Sequence, residues 1–207
     1  DALPNDAAVL DLIETARSEH PALAAVVGAL AGHAPRKYYR ESVVGNLVAD
    51  ALRAYAKTDI GMITPGALRS DLASGPVTVE QIRNVFPFLD RVSTVRLTGA
   101  VLKEVVRKGL RREYGLPQYS GLTLTAELEK PEGDRVISIK INGLNIIDTK
   151  EYTLATGSFT ATGGEGYHLL PPHVVATSEA LVSEVLVAYF ESKGEVVAPS
   201  LGRQTLR

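Results

Sequence analysis

At 207 residues, with 45% hydrophobic and 22% charged residues, the chain has the balance of an ordinary folded domain, which excludes disorder and fibrous repeats. A formal net charge of −2, with Lys and Arg spread along the sequence, leaves no basic footprint for a nucleic acid. Cysteine is absent, so disulfides, thiolate metal sites and thiol nucleophiles are excluded, and no run of about 18 apolar residues offers a membrane span.

Residues 6–18, DAAVLDLIETARS, place Val9, Leu10, Ile13 and Ala16 at helical spacing with acidic residues in the early turns, predicting a short, one-sided helix. Pro21 and the small-residue stretch ALAAVVGALAGHAP separate this helix from the rest of the chain, so residues 1–22 read as an appendage or linker and 23–207 as the compact domain. In VVGNLVADALRAYAK, Val44, Leu47, Val48, Ala51, Leu52 and Tyr55 make one apolar helical stripe, and DIGMI after it reads as a buried strand. TPGALRSD must then loop, and Thr78 followed three residues later by Gln81 predicts a capping box at the start of a short helix.

RVSTVRL predicts a strand, and TGAVLKEVVRKGL a helix with Thr98 as N-cap. GLTLTAEL puts Leu122, Leu124, Ala126 and Leu128 on one side, and RVISIKI puts Ile137, Ile139 and Ile141 on one side before a turn at Asn142 and Gly143. EYTLAT predicts another strand, and SEALVSEVLVAYFESKG a closing helix capped by Ser178 and ended by Gly194. The order predicts an α/β or α+β layered domain with a mixed sheet. Its ligand loops are expected after strands, at residues 64–71 and 157–167.

Motifs for catalysis are missing. His20, His33, His168 and His173 form neither HExxH nor Asp-x-His, no G-x-S-x-G elbow or P-loop lysine is present, and GGEG lacks a strand-to-helix context. No metal or other cofactor is therefore expected within this chain. The remaining features point to binding. Arg69 can hold a phosphate or carboxylate through two parallel hydrogen bonds, or simply be a solvated surface arginine. Phe88, and Phe159 among glycines and threonines in TGSFTATGGEGY, are each either core plugs or platforms; facing each other, they would clamp a flat base.

The ordered set ESVVGNLVADALR, DIGMITPGALRSDLASGPVTVEQIRNVFPF, VRLTGAVLKEVV, YSGLTLT, GDRVISIKINGLNI and SFTATGGEGY resembles the C-terminal domain of the 5′-nucleotidase family, from about residue 23 to the end. The resemblance implies an α/β/β/α sandwich that binds the nucleoside part of a nucleotide. It also implies an N-terminal metallophosphoesterase domain of the same polypeptide, holding two divalent metal ions, with the helix of residues 1–22 as the interdomain linker. On that resemblance Phe88 and Phe159 are the base-stacking pair and Arg69 contacts the phosphate. Glu165 stands where an aspartate holds ribose hydroxyls. Thr64 replaces an asparagine, and Pro65 and Ala67 replace glycines beside Gly66. The second phosphate arginine falls on Tyr38, with Arg36 and Arg40 nearby. A periplasmic or extracellular location is implied, and a chain inactive by itself.

The rival expectation is a non-enzymatic structural or dimerisation module of the same fold. It requires Phe88 and Phe159 packed on each other and inaccessible, with Arg69 tied to Asp71 or Asp90. The binding reading requires both rings on an open cleft with Arg69 and Glu165 in reach of a shared ligand.

Overall fold

The computed structural model describes residues 6–207. Helix α1 (Ala7–Glu19) is capped by Asp6, whose carboxylate accepts from the Ala8 and Val9 N–H groups, and none of its residues is buried. Its apolar stripe of Val9, Leu10, Leu12 and Ile13 faces solvent. An ion pair of 3.0 Å between Arg17 and Glu80 ties it to the domain.

Part of the stretch expected as a separator is a strand, β1 (Val26–Ala31). Small residues suit it because a helix end packs on it: a Cβ at Gly28 would stand 2.7 Å from the Gly194 carbonyl oxygen. Next come α2 (Val43–Ala56), with Ser42 accepting from the Gly45 N–H, and β2 (Ile60–Ile63), buried along its whole length. Tyr55, expected on the buried stripe of α2, is at the open end of the helix and 45% exposed. Strand β3 (Gly75–Thr78) leads into α3 (Val79–Val85), where Thr78 and Gln81 form the predicted capping box. Strand β4 (Arg91–Thr98) runs into α4 (Gly99–Leu110), capped by Thr98 as expected.

The second half holds β5 (Gln118–Ser120), β6 (Leu122–Ala126), β7 (Val136–Ile141) and β8 (Leu144–Asn145). Asn142 and Gly143, at φ 50° and 83°, make the predicted turn between β7 and β8. Ile139 and Ile141 are buried, but Ile137 is exposed. An irregularity in the β6–β7 register sets Val136 opposite Ala126, so one position slips and Val136 packs inward instead. The chain continues through β9 (Glu151–Gly157), the short helix α5 (Ser158–Ala161), β10 (Val174–Leu181), α6 (Val182–Lys193), β11 (Glu195–Val197) and β12 (Gln204–Leu206).

The closing helix is shorter than the sequence predicts. Residues up to Leu181 pair with β4 as β10, so Ser178 caps nothing. Helix α6 starts at Val182, with the Glu184 carboxylate accepting from the Leu181 N–H at 2.9 Å and the Asp90 carbonyl from the Val182 N–H at 2.8 Å. Gly194, at φ 67°, ends it as expected.

The strands form sheets ordered β11-β1-β3, β10-β4-β9-β2-β5 and β12-β6-β7-β8. The central one is mixed: β2 runs parallel to β9, and β4 antiparallel to it. One of its faces, through Ile63, Val92 and Ala155, joins the core of α2, α3 and α6; the other, through Ile60, Met62, Val95 and Leu154, joins the core of α4, β6 and β7. This is the layered mixed-sheet sandwich that the sequence predicts. The C-terminal segment is fastened back by Arg203, whose guanidinium donates to both Asp50 carboxylate oxygens and to the Tyr119 carbonyl, each at 2.8 Å.

Candidate functional site

Strand order brings three segments to one end of the central sheet. Strands β2 and β9 are parallel, so residues 64–69 and 158–165 leave the sheet together, and the segment 86–90 enters antiparallel β4 at that same end. Between them lies a cleft of about 410 Å3 lined by Thr64, Gly66, Arg69, Phe88, Phe159 and Glu165, together with Ala67, Leu89, Asp90 and Thr160.

Neither candidate phenylalanine is a core plug. Phe86 is fully buried, and the Phe88 ring stands edge-on to it at 5.8 Å between centroids, reaching outward so that it stays 40% exposed. Phe159 is 56% exposed. Its ring lies over the chain at Gly164, where a Cβ would come within 2.6 Å of the ring, so the glycines beside it make room for the ring.

Glu165 adopts a left-handed backbone at φ 53°, and its carboxylate reaches the place a side chain at Gly66 would take. Its Oε2 is buried without a hydrogen-bond partner. Burial pushes the carboxyl above its ordinary value, against the Thr64 hydroxyl and the Lys108 and Arg69 charges, which pull it down. Lys108 in turn bonds Glu113 and stands 5.1 Å from the Tyr114 ring centre.

The backbone N–H of Arg69 donates to the Val85 carbonyl at 2.9 Å, and its guanidinium stands 5.2 Å from the Phe88 ring centre. Among the described residues it enters no ion pair. Asp71 instead accepts from the Arg36 N–H, and Asp90 from Ser158 and Phe159.

Tyr38 and Arg40 lie outside the cleft. The Tyr38 ring pairs edge-on with Tyr39 at 4.8 Å and its carbonyl accepts from the Leu116 N–H at 2.8 Å; Arg40 lines a separate depression with Lys37 and Arg112. Arg36 does not reach the cleft either. Its guanidinium donates to the Leu68 carbonyl at 2.5 Å and the Pro65 carbonyl at 3.4 Å, bracing the 64–69 loop from behind. Arg69 is thus the one cation among the described residues that line the cleft.

Residues 21–171 match the family model described as the 5′-nucleotidase C-terminal domain. The chain belongs to that family. A trifunctional nucleotide phosphoesterase protein of Bacillus subtilis, YfkN, is 33% identical over 152 residues, covering 67% of this chain and 10% of that protein. A snake venom 5′-nucleotidase of Macrovipera lebetinus is 26% identical over 163 residues, covering 64% of this chain and 39% of the venom protein. The crystal structure of a 5′-nucleotidase precursor from Thermus thermophilus superposes with a TM-score of 0.87 at 22% identity, over 96% of this chain and 43% of that one; this likeness is one of fold. The chain spans less than half the length of each of these proteins.

No group of three or more His, Asp or Glu close enough to hold a metal occurs among the described residues of this 5′-nucleotidase C-terminal domain. Sequence reasoning missed Asp90 as a part of the cleft, having offered it only as a partner for Arg69. The available signal was its place two residues after Phe88 and directly before a strand, where a carboxylate commonly caps a neighbouring turn.

Proposed function

We propose that this 5′-nucleotidase C-terminal domain is the nucleoside-recognising part of a two-domain phosphoester hydrolase. The observation that carries the reading is a pair of large exposed aromatic rings, Phe88 and Phe159, on one cleft. Two exposed rings on one cleft make an apolar patch that a flat ligand can cover, and stacking contributes about 1–3 kcal/mol per base. In this reading the base lies between the rings, ribose hydroxyls donate to Glu165, and the phosphate points toward Arg69. With one cation among the lining residues, base and sugar carry more of the affinity than phosphate does.

Residues 1–22 are the linker and 23–207 the recognition domain; the exposed apolar stripe of α1 supports a helix that packs on something other than this domain. The two metal ions that activate water belong to the N-terminal metallophosphoesterase domain, and this chain alone is inactive. A relative from venom supports a periplasmic or extracellular setting. The structural-module alternative is disfavoured by the exposed rings and by an Arg69 that takes no carboxylate partner among the described residues.

The test is an NMR titration of this chain with adenosine and with AMP, alongside Phe159→Ala. Saturable shifts at the cleft in the wild type, lost in the variant, support the clamp. Absence of shifts with either ligand rejects it.

A further inference from the structure

Phe88 precedes β4 and Phe159 follows β9, and a single carboxylate bridges the segments that carry them. Asp90 follows Phe88 by two residues, and its Oδ1 accepts from the Phe159 N–H at 2.9 Å and from the Ser158 hydroxyl at 2.8 Å. Ser158 Oγ accepts from the Arg91 N–H at 3.1 Å, which closes a ring of hydrogen bonds between the start of β4 and the end of β9. Helix α5 has no cap of its own, because Gly157 at its N-cap lacks a side chain; Asp90 supplies the acceptor from the residue just before β4. Gly157 is also what admits the carboxylate, since a Cβ there would stand 2.8 Å from Asp90 Oδ2. From behind, the Asp90 carbonyl holds the Val182 N–H at 2.8 Å, so the residue is anchored to α6 as well.

We propose that Asp90 is a positioning residue, a latch that fixes the Phe159 ring relative to the Phe88 ring. The ligand it serves rests on the nucleoside reading; the latch itself rests on the geometry just given. Hydrogen bonds to a carboxylate are roughly twice as strong as neutral ones, and a clamp held at a set spacing binds without an ordering cost. Without the carboxylate, the Phe159 N–H and the Ser158 hydroxyl turn to water and the first turn of α5 loosens. The rings then no longer meet a base at one spacing, while the rest of the cleft is untouched.

The experiment compares Asp90→Ala and Asp90→Asn in this chain, because asparagine keeps an acceptor oxygen where Oδ1 stands. In Asp90→Ala the Phe159 amide is expected to exchange its hydrogen about tenfold faster or more. Adenosine affinity is expected to fall about tenfold with ribose 5-phosphate affinity changed less than about twofold. Asp90→Asn should recover most of both effects. Unchanged Phe159 exchange in Asp90→Ala, equal loss for both ligands, or an asparagine variant as impaired as the alanine one would each overturn the latch. If the wild type binds no adenosine, the nucleoside reading falls and the exchange measurement alone decides the latch. If Asp90→Ala does not fold, Ser158→Ala removes two bonds of the ring, and a Phe159 amide unchanged in that variant counts against the proposal.

Discussion

Phe86 and Phe88 are the same side chain two residues apart, and the fold treats them in opposite ways. Phe86 faces the core of α2, α3 and α6 with no exposed surface; Phe88 leans on it edge-on and turns its far face to the cleft. The difference separates two regions: a core in which every aromatic has protein on both sides, and a rim in which aromatics have protein on one side only. Core residues answer to packing; in the proposed reading, rim residues answer to a ligand that is not part of the chain.

The sharpest way to break this contrast is to truncate both rings. Phe86→Ala is expected to cost about 3–5 kcal/mol of stability, read by denaturant unfolding, because it opens a cavity in a closed core. Phe88→Ala should stay within about 1 kcal/mol in the same measurement; a loss as large as that of Phe86 would place the ring in the core after all. Phe159→Ala is expected to remove about 1–3 kcal/mol of adenosine binding and to leave the melting temperature nearly unchanged. Arg69→Gln should weaken AMP by roughly 1 kcal/mol more than adenosine in paired titrations, since a guanidinium facing a phosphate supplies charge-assisted hydrogen bonds. Equal weakening of both ligands would move Arg69 from the phosphate to the Phe88 ring it covers.

The smallest effect concerns Glu165. Burial raises its carboxyl, so the folded chain holds that proton more tightly than the unfolded chain does. Its stability contribution is therefore present at low pH and is lost as pH rises from the ordinary carboxylate range through the raised value. Glu165→Gln should melt like the wild type in acid and a little higher near neutral pH, an effect kept small by its partial exposure. Nucleoside binding should move the other way: hydroxyl donation to the carboxylate strengthens as the proton leaves, so the wild type should gain affinity over that window and the glutamine variant should not.

Much of the core was legible because its signals are local. The Thr78 and Gln81 box, the Thr98 cap, the Asn142-Gly143 turn and the stripe on α2 each depend on residues within a few positions of one another. The errors came where a distant partner decides. β1 was hidden because Gly28 at its centre makes room for the end of α6, which lies more than a hundred and fifty positions away. β10 resembled the start of a helix until pairing with β4 claimed it, and Ile137 turned outward through a slip that exists only between two strands. The cleft obeyed the same rule. Thr64, Gly66, Arg69, Phe88, Phe159 and Glu165 follow or precede strands that share one end of a sheet and so meet. Tyr38 and Arg40 precede α2 in a loop whose direction no local pattern sets, and Asp90 acts through a bond to a residue 69 positions later.

The fastening of the C-terminal segment has a consequence for where this domain can be cut. The family match ends at residue 171, and every cleft residue lies before that point. Yet β10 forms an edge of the central sheet, Phe190 of α6 is fully buried, and Arg203 neutralises Asp50 on α2. An expression clone trimmed to the matched stretch would keep every residue that lines the cleft and lose the scaffold that shapes it. The stretch that the family model matches and the scaffold that packs around it are different lengths of the same chain.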